Sequence, residues 1–370
     1  MDSLGSKSSI PREIIFEIFS WLPTKSLMRF KCVTKFCNSL VSESDFVDIH
    51  GYRSITRPDG TKFFLHEKRA FYTAEQKEDG KIGASLFQTA RFDGLYGSSD
   101  SSWLDCVNGL FCVCEPLSLG RAAVFNPSTR EVRFLPNLNE EFSLCNYALG
   151  FESKENKYKV LLSTYHVREG GRKNWVLTLG IDEEWRETQS IYPGIFYSMP
   201  GVCISGVIYR FIYQSAMSNR RDIAAFDIKS EKFNIIELWN SSHHKAGDYK
   251  LIEVKGKLAV TDCENWLTGY IRLWILENIK KEDRWKSHII SFSSIWNVIS
   301  PKIESSLRII CFCKSRDGEI IFIVNLKPGF LCLCYDVTTK SWRKVKIKGL
   351  PSESYIVGGY SYVESLVPCG

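Results

Sequence analysis

The sequence predicts an α+β protein of two parts: a small helical unit at residues 9–50 and an all-β, propeller-like domain at residues 55–370. Three observations support this prediction. Apolar residues recur at helical spacing only in the first part. In the second part, apolar and polar residues alternate in short runs that end at Gly, Asn, Asp or Pro. Within these runs, a turn followed by a strand recurs about every 50 residues, as in the blades of a propeller.

The helical unit begins with an apolar stripe. Its members are Ile10, Ile14, Ile15, Ile18, Phe19 and Leu22. Three polar residues are predicted to lie away from this stripe, namely Glu13, Glu17 and Ser20. Ser9 is expected to cap the helix, and Pro23 is expected to end it, because proline disfavours helical geometry in the residue before it.

Two further short helices are predicted from their capping residues. Thr24 can cap a helix that runs to about Cys32, and Thr34 can cap the next one. The segment from Asp45 to His50 is expected to add one more turn.

The β region contains five similar turn-and-strand units. Each unit carries an apolar or aromatic residue after a polar turn: Val132, Trp185, Phe233, Trp285 and Trp342. The steps between these positions are 53, 48, 52 and 57 residues. A second hairpin signal precedes most units: Asn108-Gly109, Ser205-Gly206, Lys255-Gly256 and Asp317-Gly318. Blades of this length are kelch-like.

The two ends of the β region are predicted to meet. Residues 61–92 supply strands for one more blade, and the segment SYIVGGYSYVESLVP (354–368) has no partner downstream. Pairing of this segment beside the first blade would close the ring and hide two strand edges. An irregular β-sandwich with coincidental spacing is the alternative.

Composition and charge narrow the class of protein. The net charge of +6 comes from basic residues that are paired or interleaved with apolar ones, so we expect a solvated surface and no nucleic-acid binding. The first residues, MDSLGSKSSI, lack the apolar segment of a secretory signal, and no apolar run is long enough to cross a membrane. We therefore expect the protein in the cytoplasm and/or nucleus, with its 13 cysteines as free thiols.

The segment IPREIIFEIFSWLPTKSLMRFKCVTKFCNSLVSESDF closely resembles the F-box in its plant form. The residues that match the pattern are Ile10-Pro11, Glu13, Ile14, Ile15, Ile18, Leu22-Pro23, Lys25-Ser26-Leu27, Arg29-Phe30, Cys32-Val33 and Lys35. One position departs from it, because Cys37 stands where the family commonly has tryptophan.

The β region resembles the plant F-box-associated domain, whose family includes the S-locus F-box proteins. The matching pieces are Asn108-Gly109-Leu110, FNPSTREVRFLP (125–136), GFESKENKYKV (150–160) and YVESLV (362–367). True kelch sequences repeat a double glycine, whereas here only Gly170-Gly171 and Gly358-Gly359 occur. The chain therefore does not match the kelch motif itself.

The resemblance implies a non-catalytic substrate-recognition subunit of an SCF-type cullin–RING ubiquitin ligase. Such a subunit binds a Skp-type adaptor, and through it the cullin and RING subunits, and it binds a protein target for ubiquitination and proteasomal degradation. The expected adaptor-binding residues are Ile10, Pro11, Ile14, Ile18, Leu22, Pro23, Leu27, Phe30 and Val33. Segment 24–35 contains four basic residues and no acid, which favours an acidic adaptor.

Target recognition is expected in loops at one rim of the β domain, since loops vary while strands are constrained. The candidate loops are residues 166–174, 214–221 and 240–248. Their basic residues are Arg168, Arg172, Lys173, Arg220, Arg221 and Lys245. They predict a basic rim that prefers an acidic patch on the target; alternatively, these charges only solvate turns.

Catalytic residues, metals and cofactors are not expected. The sequence contains no G-x-S-x-G elbow, P-loop or H-E-x-x-H motif. Three Cys-x-Cys pairs, Cys112/Cys114, Cys311/Cys313 and Cys332/Cys334, are interpreted as core thiols, and His243-His244 as solvated. Two other functions stay open: an F-box scaffold that acts outside the ligase, and a β-propeller enzyme with the helical unit as a cap.

Overall fold

A computed structural model describes most of the chain. The described residues are 10–57, 61–67, 70–76, 82–87, 103–114, 121–138, 144–165, 171–190, 194–196, 200–213, 221–238, 249–263, 266–277, 285–299, 309–314, 319–325, 330–351 and 355–370. The N-terminal unit has four helices: α1 Arg12–Ser20, α2 Thr24–Phe30, α3 Lys35–Ser42 and α4 Ser44–Thr56.

The helix boundaries confirm some predicted caps and correct others. Thr34 caps α3, and its hydroxyl oxygen accepts a hydrogen bond from the Cys37 N–H at 3.0 Å. Thr24 is instead the first residue of α2, which follows Pro23, and α1 follows Pro11. Ser9 lies outside the described residues.

The fourth helix is longer than the single turn predicted from Asp45 to His50. It has 13 residues, and positions 50 and 55, where the domain limits were predicted, both lie within it. Its extra length provides Arg53, which forms an ion pair with Glu17 of α1 at 2.8 Å.

The first helix has two apolar faces where one stripe was predicted. Its inner face packs into the core of the helical unit through Ile15, Phe16, Phe19 and Leu22. Ile14 and Ile18 are half exposed on the outer side. Ser20, predicted to lie away from the stripe, is fully buried, and its hydroxyl accepts a hydrogen bond from Arg53 and donates to the Glu17 carbonyl.

The β region forms six sheets, each one blade of a propeller. Blade 1 contains β1 Thr61–Glu67, β2 Phe71–Gln76 and β3 Ile82–Phe87. Blade 2 contains β4 Trp103–Val107, β5 Leu110–Cys114, β6 Ala122–Asn126 and β7 Glu131–Phe134. Blade 3 contains β8 Leu144–Glu152, β9 Lys157–Tyr165, β10 Arg172–Thr178 and β11 Arg186–Glu187.

The other three blades follow in chain order. Blade 4 contains β12 Ile195–Phe196, β13 Val202–Ile204, β14 Val207–Tyr213, β15 Arg221–Asp227 and β16 Lys232–Glu237. Blade 5 contains β17 Tyr249–Val254, β18 Lys257–Asp262, β19 Tyr270–Leu276 and β20 Trp285–Ser291. Blade 6 contains β21 Ile309–Lys314, β22 Glu319–Asn325, β23 Phe330–Asp336 and β24 Ser341–Val345. A short 3-10 helix at Trp266–Thr268 lies within blade 5, and α5 at Trp296–Ile299 follows it.

The last two strands complete the first blade. Strand β25 (Ile347–Lys348) pairs in parallel with β3, and β26 (Ile356–Val363) pairs antiparallel with β1, placing Tyr360 opposite Phe64. One edge strand of each blade contacts that of the next blade, in the cyclic order β26, β4, β8, β13, β17, β21 and back to β26. The predicted closure of the ring is therefore confirmed, and the sandwich alternative is wrong.

The sequence repeat falls on equivalent parts of the blades. Val132, Phe233, Trp285 and Trp342 lie in the last strand of blades 2, 4, 5 and 6, and Trp185 directly precedes that of blade 3. The three tryptophans each donate their indole N–H to a backbone carbonyl of the preceding blade, namely Trp185 to Pro136 at 2.7 Å, Trp285 to Glu237 at 3.2 Å and Trp342 to Ser291 at 2.8 Å. These bonds join the outer edges of successive blades.

The predicted hairpin signals form tight turns between the first two strands of a blade. Asn108 and Gly109 have φ values of 46° and 87°, as a two-residue type I′ turn requires. Ser205-Gly206 and Lys255-Gly256 adopt the same conformation, with both φ values positive. Asp317-Gly318 lies outside the described residues.

The interior is apolar between neighbouring blades. A group of phenylalanines joins blades 1 and 2, with the Phe64 and Phe111 ring centroids 4.8 Å apart. The predicted core thiols Cys112, Cys114, Cys332 and Cys334 are buried, and none of the four is part of a disulfide bond. The side chains of Cys311 and Cys313 lie outside the described residues. Within the described part of the chain, no helix has the length and apolar character needed to span a membrane.

Candidate functional site: an exposed apolar face and a basic rim

The outer side of the helical unit carries an exposed apolar face. On and before α1, the exposed fractions of Ile10, Ile14 and Ile18 are 60%, 50% and 52%. Pro11 and Pro23 are exposed beside them. Phe30 at the end of α2 and Val33 after it are 38% and 66% exposed. So many exposed apolar side chains on a unit this small are typical of a protein-binding surface.

Two of the predicted adaptor-binding residues have an internal role. Leu27 is fully buried and packs with Leu40, Val41 and Phe46 in the core of the helical unit. Leu22 is half buried against the same core. The prediction of direct contact is therefore wrong for Leu27, because a side chain without exposed surface cannot touch a partner.

The exposed apolar face also includes residues that sequence reasoning missed. Trp21 is 51% exposed, and its position seven residues after Ile14 places it on the same side of α1. Its indole N–H donates to Glu17 Oε1 at 3.0 Å, and the Arg53 guanidinium lies 4.6 Å from the ring centroid. These contacts fix the ring. The helical period could have identified Trp21. Phe36 of α3 is also exposed, at 41%, and nothing in the sequence pattern indicates this exposure.

Basic residues border the exposed apolar face. Lys25, Arg29 and Lys35 are exposed on α2 and α3. Of the two acids on α1, Glu17 is paired with Arg53, whereas Glu13 is exposed in the first turn. Hydrogen bonds from Arg53 and Trp21, the largest causes, lower the pKa of Glu17. The border of the face therefore suits an acidic partner.

The second candidate surface is the rim of blades 3 and 4. Arg172 and Lys173 start β10 and are half buried, with the Arg172 guanidinium 5.7 Å from the Tyr165 ring and the Lys173 ammonium 5.6 Å from the Trp175 ring. Three other predicted rim residues, Arg168, Arg220 and Lys245, lie outside the described residues.

Arg221 does not belong to the surface of this rim. It is 3% exposed, and its guanidinium lies 5.1 Å from the centroid of the buried Tyr249 ring. Its prediction as a target-binding residue fails, because the side chain is buried and its guanidinium packs against Tyr249 of blade 5.

The rim lies at the far end of the sheets from the helical unit. Asn156, in the turn between β8 and β9, donates to Asp48 of α4 at 2.9 Å. The other end of β9 is Tyr165, which is paired with Arg172. A nine-residue strand separates these ends by about 27 Å.

The buried cysteines do not form a metal site in the described part of the chain, where no three His, Cys, Asp or Glu side chains are grouped to hold an ion. Burial raises the pKa of Cys114 to about 12 and that of Cys145 to about 11, so these thiols stay protonated. His243-His244 lies outside the described residues.

The helical unit and the six-bladed propeller together define a class: F-box proteins with a propeller as their second domain. Residues 8–48 match the model of the F-box domain, and residues 62–365 match that of the F-box associated beta propeller domain. This chain belongs to the F-box-associated β-propeller family. An F-box domain in general implies a Skp-type adaptor as partner.

Relatives in Arabidopsis thaliana share this organisation along most of their length. The F-box protein At1g30790 is 30% identical over 372 residues, which cover 93% of this chain and 91% of the relative. The F-box/kelch-repeat protein At3g04660 is 25% identical, with 97% and 93% covered. A chain from the crystal structure of a nidogen/laminin complex matches in fold alone, with a TM-score of 0.50 and 10% identity over 83% of this chain and 100% of that chain.

Proposed function

We propose that this chain is the non-catalytic substrate-recognition subunit of an SCF-type cullin–RING ubiquitin ligase. The observation that supports this most is the exposed apolar face on the F-box helices, where Ile14, Ile18 and Trp21 are each about half exposed. Burying this face against a Skp-type adaptor would remove apolar surface from water. The adaptor would connect the chain to the cullin and RING subunits, and the propeller would present a target for ubiquitination and degradation, in the cytoplasm and/or nucleus.

The adaptor-binding surface that we propose differs from the sequence prediction in two respects. It keeps Ile10, Pro11, Ile14, Ile18, Pro23, Phe30 and Val33, with Leu22 at its edge. It gains Trp21, and it loses Leu27 to the core.

The adaptor contact is tested by the double substitution Ile14→Asp/Ile18→Asp. Two carboxylates would have to be desolvated in the interface, and we expect adaptor binding to fall by several kcal/mol, beyond detection in a pull-down. The fold should survive, because both side chains are half exposed. The matched control is Ile235→Asp/Ile289→Asp, at exposed positions of β16 and β20. Capture of the adaptor by the folded Ile14/Ile18 variant at the wild-type level would refute this interface.

We further propose that the target binds at the basic rim, through Arg172 and Lys173 and through Arg168, Arg220 and Lys245 of the segments that precede β10, β15 and β17 in the sequence. The separation of about 27 Å between this rim and the helical unit leaves the rim open while the adaptor is bound. Charged side chains at such a rim would favour an acidic patch on the target.

The rim is tested by reversing Arg172, Lys173 and Arg220 to Glu. Targets are first identified in the native tissue by proximity labelling under proteasome inhibition, which also reports the compartment. We expect loss of target capture and ubiquitination, with adaptor binding unchanged. Reversal of Lys154 and Lys229, exposed in turns on the opposite side of the propeller, is the matched control. Normal target turnover by the folded rim variant would place the target site elsewhere.

A further inference from the structure

The residues that follow β26 connect the two domains. We call residues 364–370 the C-terminal strap. Its residues alternate in what they contact. The side chains of Glu364 and Leu366 contact the helical unit, whereas the backbone N–H of Ser365 and the side chains of Val367 and Cys369 contact blade 2.

On one side, the strap completes the core of the helical unit. Leu366 is 7% exposed and belongs to the apolar cluster formed by Leu27, Leu40, Val41 and Phe46. This cluster lies directly beneath the exposed apolar face, since Ile15, Phe16 and Phe19 of α1 pack against it. An apolar residue distant in sequence thus fills a position that the helices alone leave open.

Glu364 joins the helical unit to blade 1. Its Oε2 accepts the backbone N–H of Thr24 at 2.9 Å, and its Oε1 lies 2.6 Å from the Lys62 ammonium of β1. The Arg57 guanidinium, just after α4, lies 3.9 Å away. Burial alone would raise the pKa of Glu364, but Lys62 and the Thr24 N–H outweigh burial and hold the pKa below its ordinary value. The carboxylate is therefore charged and paired at neutral pH.

On its other side, the strap is bound to blade 2 through its backbone. The Asn126 side-chain amide donates to the carbonyls of Ser365 and Val367 at 3.0 and 2.9 Å. Ser365 and Cys369 donate their N–H groups to Ser128 and Glu131, both at 3.3 Å. These bonds fix the register of the strap, so that Leu366 is held towards the helices.

The turn after β4 leaves space for the strap. A Cβ at Gly109 would lie 2.5 Å from the Val363 carbonyl oxygen and 2.8 Å from the Ser365 Cβ. Gly109 also has a φ of +87°, a conformation that other residues rarely adopt. Glycine is thus required at this turn for two independent reasons.

We propose that the C-terminal strap is a structural part of the adaptor-binding unit. Leu366 and Glu364 are positioning residues: they keep the exposed apolar face ordered and hold it in one orientation relative to the propeller. The effect on adaptor binding rests on the function proposed above, whereas the effect on the order of the helices does not. A helical unit of this size is marginal without additional contacts. Residues 9–50 alone are therefore not expected to bind the adaptor as the full chain does.

The test compares full-length variants by calorimetric titration with a purified Skp-type adaptor and by hydrogen exchange. For Leu366→Ala we expect at least tenfold weaker binding, equivalent to about 1.4 kcal/mol. Amides of α2 and α3 should exchange at least tenfold faster, with those of β14 and β22 unchanged. Leu366→Met should restore both properties, and Glu364→Gln should weaken binding several-fold. Val367→Ala truncates a side chain of the same strap that faces blade 2, and this variant should bind the adaptor as the wild type does.

Wild-type affinity and wild-type helix exchange in Leu366→Ala would overturn the proposal. Equal losses in Leu366→Ala and Val367→Ala, with faster exchange throughout the propeller, would also overturn it, because the strap would then act on general stability. If the wild-type chain does not bind the adaptor at all, the proposed function fails, and the exchange comparison still decides the role of the strap.

Discussion

At the scale of single residues, buried polar groups connect the blades. The carboxylate of Asp105 in β4 accepts the N–H of Leu149 in blade 3 at 3.3 Å and that of Gly201, just before β13, at 3.0 Å. Arg210 donates to the Tyr147 carbonyl at 2.6 Å. Burial raises the pKa of Asp105, while Arg210 and the two N–H groups act in the opposite direction. The carboxyl group of Asp105 thus joins blades 2, 3 and 4.

His66 provides a pH-dependent contribution to stability. It is 3% exposed in β1, its ring lies 4.7 Å from that of Phe71, and burial lowers its pKa from 6.5 to about 4. Between these pH values the unfolded chain binds a proton that the folded chain does not. The free energy of unfolding should therefore fall as the pH drops from about 6.5 to 4, by about 3 kcal/mol from this residue.

The His66→Phe variant should lack this contribution while it keeps the aromatic stack. Urea denaturation at pH 7 and pH 4.5 measures the loss of stability for each protein. We expect the wild type to lose about 2–3 kcal/mol more than the variant over this interval. Equal losses in the two proteins would show that His66 is protonated in the folded state at pH 4.5.

At the scale of elements, the outer strands hold neighbouring blades together through their tryptophans. Trp342 of β24 donates to the Ser291 carbonyl of blade 5 at 2.8 Å, and its ring stacks on Phe292 with centroids 4.8 Å apart. Trp342→Phe retains the stack and removes the N–H donor. We expect a loss of about 1 kcal/mol in the free energy of unfolding for Phe and about 3 kcal/mol for Ala. Equal stabilities of the wild type and the Phe variant in urea denaturation would contradict this role for the hydrogen bond.

The repeat was predictable from the sequence because its turns require particular residues. Turns such as Asn108-Gly109 recur at similar positions in successive blades, as does an apolar or aromatic residue in or next to the outer strand, so spacing located blades 2 to 6. The closing strand was predicted for a different reason, namely that it has no partner downstream in the sequence. The helical unit was less predictable. Periodicity places both Ile14 and Ile15 on the apolar stripe, but it does not show which of the two side chains is covered by another helix.

The contacts of the C-terminal strap could not be predicted from local pattern. Glu364 bonds to Thr24 across 340 positions of sequence, and Leu366 enters a core that otherwise consists of residues before position 50. Burial of Arg221 likewise depends on the neighbouring blade. Spacing rules describe neighbours along one element, whereas these residues are placed by the closure of the ring.

At the scale of the whole molecule, the two proposed binding surfaces lie at opposite ends of one structure. The exposed apolar face lies on the helical unit, which contacts the propeller through α4, β26 and the C-terminal strap. The basic rim lies about 27 Å further along the sheets. If the proposed function is right, an adaptor bound at one end would leave a target at the other end accessible.

We propose that a Skp-type adaptor covers the exposed apolar face and leaves the propeller rim free. The most direct measurement is hydrogen exchange of the full chain with and without a saturating amount of purified adaptor. We expect slower exchange in peptides that span residues 10–36, around Ile14, Trp21 and Val33, and no change in peptides that span β10 and β15. Protection of β10 or β15, or a complex whose α1 and α2 peptides exchange as in the free chain, would contradict the claim.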